Sequence, residues 1–169
     1  LTYGDIEGRP DLLSGIAKLY RTVKPEHIIP THGAAGANSL VLSTLVNPSD
    51  HVVSVMPTYQ QLYSIPEMCG AQVDGLHLEK ENGYHVDVEA LDALCTPDTK
   101  LICINNPDNP TGALLDGETL RAIVEVARKN DAWLHCDEVY RHLNQTDAYA
   151  ESVADLYEKG VTTSSMSKV

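Results

Sequence analysis

Three short stretches hold residue types that could do chemistry together. Asn105-Asn106-Pro107-Asp108-Asn109-Pro110-Thr111-Gly112 supplies amides in a turn-forming setting. Asp137-Glu138-Val139-Tyr140 supplies two carboxylates and a phenol, and Ser164-Ser165-Met166-Ser167-Lys168 supplies hydroxyls and an amine. Each follows a run, at 101–104, 133–136 and 161–164, that reads as a buried strand. In an open α/β sheet, ligands sit at the ends of such strands.

Lys168 by itself is a solvated surface charge. After the hydroxyl-rich Thr162-Thr163-Ser164-Ser165, which could hold a phosphate, it could also form an imine with an aldehyde. Asp137 follows the apolar Trp133-Leu134-His135-Cys136, so its carboxylate lies at the edge of a buried region, where an unpaired charge is costly. A protonated pyridine nitrogen would pair with it, and the acid would in return keep that ring electron-poor. The simpler reading is a carboxylate capping the next turn. Glu138, its neighbour, must point elsewhere. Tyr140 reaches the same ligand if the chain coils after Asp137. Asn109 can donate an amide hydrogen to a phenolate, although Asn-Pro-Thr-Gly is also ordinary turn chemistry. Gly33-Ala34-Ala35-Gly36, opening a helix, offers backbone N–H groups and little bulk, which suits a phosphate. It matches neither the Walker pattern nor the dinucleotide fingerprint. Tyr59, just past Met56-Pro57-Thr58, can lay its ring on a flat cofactor or serve as a core tyrosine.

The elements that must position these groups alternate. Leu12, Leu13, Ile16, Leu19, Tyr20 and Val23 recur at helical spacing after Arg9-Pro10-Asp11. Residues 27–29 read as a short extended piece. A helix from Gly33 should bury Leu40, Val41 and Leu45. Strands are predicted at 52–55 and 72–78, with a helix between them over 59–69 that Pro66 should end or kink. A short helix is expected over 86–94. Asp116 can cap a helix carrying Leu120, Ile123, Val124 and Ala127. Strands separated by helices predict an α/β fold of three layers: a mostly parallel sheet with helices on both faces. The polar stretch 144–151 is the expected loose loop.

Bulk properties exclude some classes. A chain of 169 residues can bury a real core. The net charge of −12 argues against a nucleic-acid partner, whose phosphates call for basic side chains. No apolar run reaches membrane-spanning length, so no membrane partner is expected. Cys69, Cys95, Cys103 and Cys136 form no CxxC pair and no zinc spacing, so no metal site is expected. Cys103 and Cys136 read as small core residues, and a reducing, cytoplasmic setting fits.

Taken in order, Asn106-Pro107-Asp108-Asn109-Pro110-Thr111-Gly112, Asp137-Glu138-Val139-Tyr140 and Ser165-Met166-Ser167-Lys168 resemble the fold-type I pyridoxal-phosphate enzymes of the class I/II aminotransferase family. The resemblance covers nearly the whole chain, from Tyr3-Gly4-Asp5-Ile6-Glu7-Gly8-Arg9-Pro10-Asp11-Leu12 onward. It implies that Lys168 forms the imine with pyridoxal 5'-phosphate and then shuttles a proton. Asp137 would pair with the pyridine nitrogen, while Tyr140 and Asn109 bond the ring's phenolic oxygen. Tyr59 would stack on the ring. Ala34, Ala35 and Ser165 would hold the phosphate, with Gly33 allowing close approach. Tyr3 would reach the phosphate of a neighbouring subunit, which implies a homodimer.

The same resemblance implies an aminotransferase passing an amino group from an α-amino acid to a 2-oxo acid. A β-lyase, decarboxylase or cyclase of the same fold, or a non-catalytic module, would use the same residues. Residues 1–169 would form part of the cofactor-binding large domain, with the N-terminal arm, the end of that domain and a small C-terminal domain lying outside it. Two departures are visible. Many relatives carry lysine or serine where Ala34 and Ala35 stand, which leaves phosphate grip to backbone N–H groups. Leu62 stands where some relatives place a histidine behind the carboxylate.

Overall fold

The computed structural model describes residues 4–143 and 150–168. Five parallel strands, β1 (His51–Met56), β2 (Gln72–His77), β3 (Thr99–Asn105), β4 (Trp133–Asp137) and β5 (Gly160–Thr163), form one sheet in the order β2-β1-β3-β4-β5. The order reverses at β1, which lies between β2 and β3. The crevice beyond the strand ends near such a switch point is the preferred ligand position.

Residue alternation along the strands feeds two cores, because successive side chains point to opposite faces. Val52, Leu101 and Cys103 pack with Leu42, Val46, Leu62 and Ile65 of α2 (Gly33–Leu45) and α3 (Gln61–Met68) and their flanks. Val53, Val55, Ile102, Ile104, Leu134 and Cys136 pack on the other face. There they meet Leu91 of α4 (Val88–Leu94), Leu120, Ile123, Val124 and Ala127 of α5 (Gly117–Lys129), and Val153 of α6 (Val153–Leu156). Each fully buried Leu, Ile or Val of these strands and helices contributes about 1.5–3 kcal/mol. Both cysteines expected in the core are fully buried there.

α5 shows how sequence fixes an element. The Asp116 side chain accepts from Thr119 N at 2.7 Å, and Arg128 and Lys129 stand in the last turn, against the negative end of the helix dipole. α3 runs through Pro66 for two more residues and ends at Cys69, whose N–H reaches Ile65 O at 2.9 Å. Pro66 has no N–H to give the carbonyl of Leu62, so that bond is missing in the last turn, and the helix stops two residues later.

Three expectations need correction. α2 buries Asn38 and Leu42, half-buries Val41 and Leu45, and leaves Leu40 exposed, so its inward stripe runs along 38, 41, 42 and 45 rather than through Leu40. α1 spans Pro10–Ala17 and stops well short of Val23. The backbone N–H groups of Arg21 and Thr22 donate instead to the Asp155 carboxylate, at 2.9 and 2.7 Å, so a tertiary anion takes donors that a helix would have used. The extended piece at 27–29 begins inside a 3-10 turn, Pro25–His27, and pairs with no strand among the described residues. Most of the loop expected over 144–151 lies outside the described residues. Among those described, no helix is long and apolar enough to cross a membrane.

Candidate active site

The C-terminal ends of β3, β4 and β5 and the first turn of α2 meet around Asp137. This residue ends β4 opposite Thr163 of β5 and Asn105 of β3, and it is 2% exposed. Its Oδ2 accepts from Asn38 Nδ2 at 2.8 Å, and its Oδ1 accepts from Val139 N at 3.1 Å. Burial raises its carboxyl above the usual carboxylate range, while the Asn38 hydrogen bond and the Val139 N–H pull the other way. No cation pairs with this carboxylate among the described residues. Each oxygen accepts one protein hydrogen bond and keeps a lone pair. A buried anion with neutral neighbours and spare acceptors suits a ligand that brings its own positive N–H.

The turn after β3 is tied to Asp137 through the main chain. Asn105 Nδ2 donates to Asp137 O at 2.7 Å, and Asn105 Oδ1 accepts from Asn109 N at 2.7 Å. The Asp108 carboxylate accepts from Thr111 N and Thr111 Oγ1, at 3.1 and 2.6 Å, which closes the Asn-Pro-Thr-Gly turn. This turn chemistry places Asn109 half-buried beside the β4 end.

Beyond β4 the chain does coil: Arg141 N reaches Glu138 O at 2.9 Å, and Leu143 N reaches Tyr140 O at 2.9 Å. The half-buried Tyr140 ring carries the Lys168 ammonium 6.0 Å from its centroid, a cation–π approach. Lys168 closes a 3-10 turn, Met166–Lys168, and is exposed. Glu138 points away, as adjacency requires. It is 1% exposed, accepts from Thr162 Oγ1 at 2.9 Å and Val153 N at 3.1 Å, and lies 3.7 Å from Arg141 Nε.

α2 starts at Gly33, whose φ of 73° favours a residue without Cβ, and no side chain caps this start. Ala34 and Ala35 follow, and Gln61 Nε2 donates to Ala35 O at 3.3 Å. Tyr59, 38% exposed, precedes α3 with its ring available to a ligand. A groove of ≈ 960 Å³ meets this region at Gly33, Ala37 and Thr163–Ser167 and otherwise runs between α1, residues 27–31 and the β5–α6 side of the sheet. Asp137, Asn109, Tyr140 and Lys168 do not line it; they stand at the strand ends beside it. Leu62 is fully buried in the α2–α3 core and offers the carboxylate nothing polar.

Of the residues picked from sequence, Asp137, Asn109, Tyr140 and Lys168 gather at the ends of β3, β4 and β5, and Gly33, Ala34, Ala35 and Tyr59 flank the start of α2 and α3. Tyr3 lies outside the described residues. The hydroxyl run needs correction: Thr162 bonds Glu138, Thr163 donates to Asn38 Oδ1 at 2.6 Å, and Ser165 donates to Ser167 Oγ at 2.9 Å. Thr162 and Thr163 are therefore internal ties on opposite faces of the sheet, which leaves Ser165 as the hydroxyl at the mouth. Asn38 and Gln61 have no part in the sequence reading, and Asn105, His135 and Thr163 enter it only as members of their runs. A polar residue at a core-facing position, such as Asn38 within the apolar stripe of α2, was the available signal.

Comparison with known proteins follows the same lines. Residues 1–169 match the family described as aminotransferase class I and II. The chain is 34% identical to an aspartate aminotransferase of Musicola paradisiaca, covering 98% of this chain and 44% of that protein. It is 32% identical to an arginine–pyruvate transaminase of Pseudomonas aeruginosa, with coverage of 98% and 44%. A crystal structure of a PLP-dependent aminotransferase from Streptococcus suis superposes with a TM-score of 0.94 at 48% identity, covering 99% of this chain and 44% of that one. The aspartate aminotransferase of Thermus thermophilus with maleate superposes with a TM-score of 0.89 at 28% identity, covering 96% and 44%. The chain thus spans less than half the length of these relatives. Sequence match and superposition agree, and this chain belongs to the class I and II aminotransferase family.

Proposed function

We propose that this chain is the cofactor-binding part of a pyridoxal 5'-phosphate-dependent aminotransferase, moving an amino group from an α-amino acid to a 2-oxo acid. The observation that carries the reading is Asp137: a buried carboxylate with only neutral donors around it, at a strand end that also gathers an amide, a phenol and a lysine. When bound, pyridoxal phosphate supplies an aldehyde and a protonated ring that withdraws electrons from the substrate α-carbon.

The chain's own residues then divide the work. Asp137 would accept the ring N–H and keep that proton in place. Asn109 and Tyr140 would donate to the phenolic oxygen and set the ring's rotation. Tyr59 would cover one ring face and exclude water from it. The N–H groups of Ala34 and Ala35 would bind the phosphate, with Gly33 leaving room and Ser165 adding its hydroxyl. Lys168 would hold the group through its aldehyde, and its Nζ would serve as the base that moves the substrate α-proton. A homodimer, with Tyr3 reaching toward the neighbouring subunit's phosphate, and a cytoplasmic setting with four free thiols belong to the same reading. The name of one relative, which pairs arginine with pyruvate, supports the substrate class.

Absorbance is the test. The full chain incubated with pyridoxal phosphate should turn yellow, and Lys168→Ala should stay colourless. A wild-type chain that takes up no cofactor overturns the proposal. Pyruvate and ammonia released from an amino acid without any oxo-acid acceptor would replace transamination by elimination.

A further inference from the structure

Behind Asp137, four side chains form one buried line. Asn38, His135, Thr163 and Asp137 are 0%, 0%, 3% and 2% exposed. Asn38 Nδ2 stands 2.8 Å from Asp137 Oδ2, Thr163 Oγ1 stands 2.6 Å from Asn38 Oδ1, and His135 Nε2 stands 3.2 Å from Thr163 Oγ1. We propose that Asn38, oriented by Thr163 and His135, is the positioning residue that fixes Asp137 as a hydrogen-bonded anion, through a donor that cannot itself gain or lose a proton. This rests on the reading that Asp137 faces the cofactor ring nitrogen.

Proton counting sets the direction of the line. A carboxylate only accepts, so the Asn38 NH2 must face Asp137 and its oxygen must face Thr163. The single Thr163 hydroxyl proton then goes to Asn38 Oδ1. Thr163 must therefore accept from His135, which makes His135 the Nε2–H tautomer with a bare Nδ1. Nδ1 is indeed a buried atom with no hydrogen-bond partner among the described residues. Burial pushes the His135 imidazole down to about 4, so His135 brings no positive charge to the line near neutral pH. The second Asn38 N–H faces Gln61 Oε1 at 3.4 Å, and Gln61 in turn holds Ala35 O at 3.3 Å. The anion site and the first turn of α2 are thereby joined.

The groups facing Asp137 are Asn38 from α2, Thr163 from β5, His135 from β4 and, through Asn38, Gln61 from α3. None is charged, and the neighbouring Leu62 is aliphatic. A histidine or lysine in the Asn38 position would change charge with pH and with the state of the ring. The amide cannot, so Asp137 faces the ligand with the same partner throughout a reaction cycle. A misaligned amide would instead set its oxygen against the carboxylate, acceptor facing acceptor, while the observed orientation gives both Asp137 and Thr163 a complementary partner.

The test uses the full chain without cofactor. The Asp137 carboxyl is titrated by 13C NMR in wild type, Asn38→Leu, Thr163→Val and Thr163→Ser. Loss of a hydrogen bond to a charged group should raise the Asp137 midpoint by about one pH unit in Asn38→Leu and Thr163→Val. Thr163→Ser keeps the hydroxyl and should restore the wild-type midpoint. Affinity for pyridoxamine 5'-phosphate, which cannot form an imine with Lys168, should fall about tenfold in the first two variants and recover in the third. If Asn38→Leu fails to fold, the Thr163→Val and Thr163→Ser pair decides alone. Wild-type midpoints in folded Thr163→Val, or equal behaviour of Thr163→Val and Thr163→Ser, overturn the proposal. A wild-type chain that binds no pyridoxamine phosphate overturns the functional reading instead, and the titration still decides the role of Asn38.

Discussion

Asn105 and Asp137 are joined side chain to main chain: the Asn105 amide donates to the Asp137 carbonyl oxygen at 2.7 Å, while its own oxygen receives the Asn109 N–H at 2.7 Å. One 6%-exposed amide thus sets the spacing between the acid and the turn that carries Asn109. Asn105→Ala leaves the Asn109 N–H without this acceptor. It should cost about 1–3 kcal/mol of stability, measured by urea unfolding, and weaken cofactor binding further than that loss alone explains.

On the proposed reading, Asp137→Ala should retain some cofactor, because the phosphate and phenolate contacts would lie elsewhere, yet lose about 10²-fold or more in turnover. Its unfolding midpoint should not fall by the amount typical of a broken ion pair, since no cation pairs with Asp137 among the described residues. Near-normal turnover, assayed in the full-length enzyme, would show that the pairing with the ring nitrogen is assigned wrongly.

Glu138 makes stability depend on pH. Burial outweighs the pull of Arg141, Thr162, Ser152 and Val153 and pushes its carboxyl from 4.5 up to about 7. Between those values the folded chain binds more protons than the unfolded one, so stability falls as pH rises through the window. The contribution is on the order of 3 kcal/mol, complete below pH 4.5 and gone above 7. Asp137 and Asp108 are raised by burial as well and act in the same sense. The difference between wild type and Glu138→Gln, followed by chemical unfolding from pH 4.5 to 8, isolates the Glu138 part. An identical slope in both would refute the assignment.

Leu62 is fully buried between α2, α3 and the sheet. Leu62→Ala should cost about 2–5 kcal/mol, read as a lower unfolding midpoint. Leu62→Met should cost less than half of that, because volume rather than chemistry is what the site requires.

Gly33 holds a φ of 73° at the start of α2, with nothing within 4 Å of an added Cβ. Gly33→Ala should therefore cost only the backbone term, about 1 kcal/mol. Binding of inorganic phosphate or pyridoxal phosphate should weaken more than stability does if the methyl group stands where the phosphate must approach. Unchanged binding would remove Gly33 from the phosphate site.

Much of this arrangement is legible in the residues. The apolar runs before Asn105 and Asp137 announce strands, because parallel strands covered on both faces are mostly apolar, and the β-branched Val161-Thr162-Thr163 announces β5 by propensity. Asp116 and the periodic apolar positions of α5 announce that helix in the same local way. Where distant groups compete, local pattern fails. The stop of α1 at Ala17 is set by Asp155, more than a hundred residues away in sequence. The hydroxyls of Thr162 and Thr163 look alike in sequence, yet the strand pleat sends one to Glu138 and the other to Asn38.

The order and spacing of Asn109, Asp137, Tyr140 and Lys168 determined the family and the chemistry on offer, because strand ends in a parallel sheet bring such residues to one edge whatever the loops do. Which neutral partner stands behind Asp137 was decided only by the tertiary structure. Asn38 lies 99 residues away and meets the acid because α2 packs across the sheet ends of β4 and β5, and no periodicity within either element encodes that meeting.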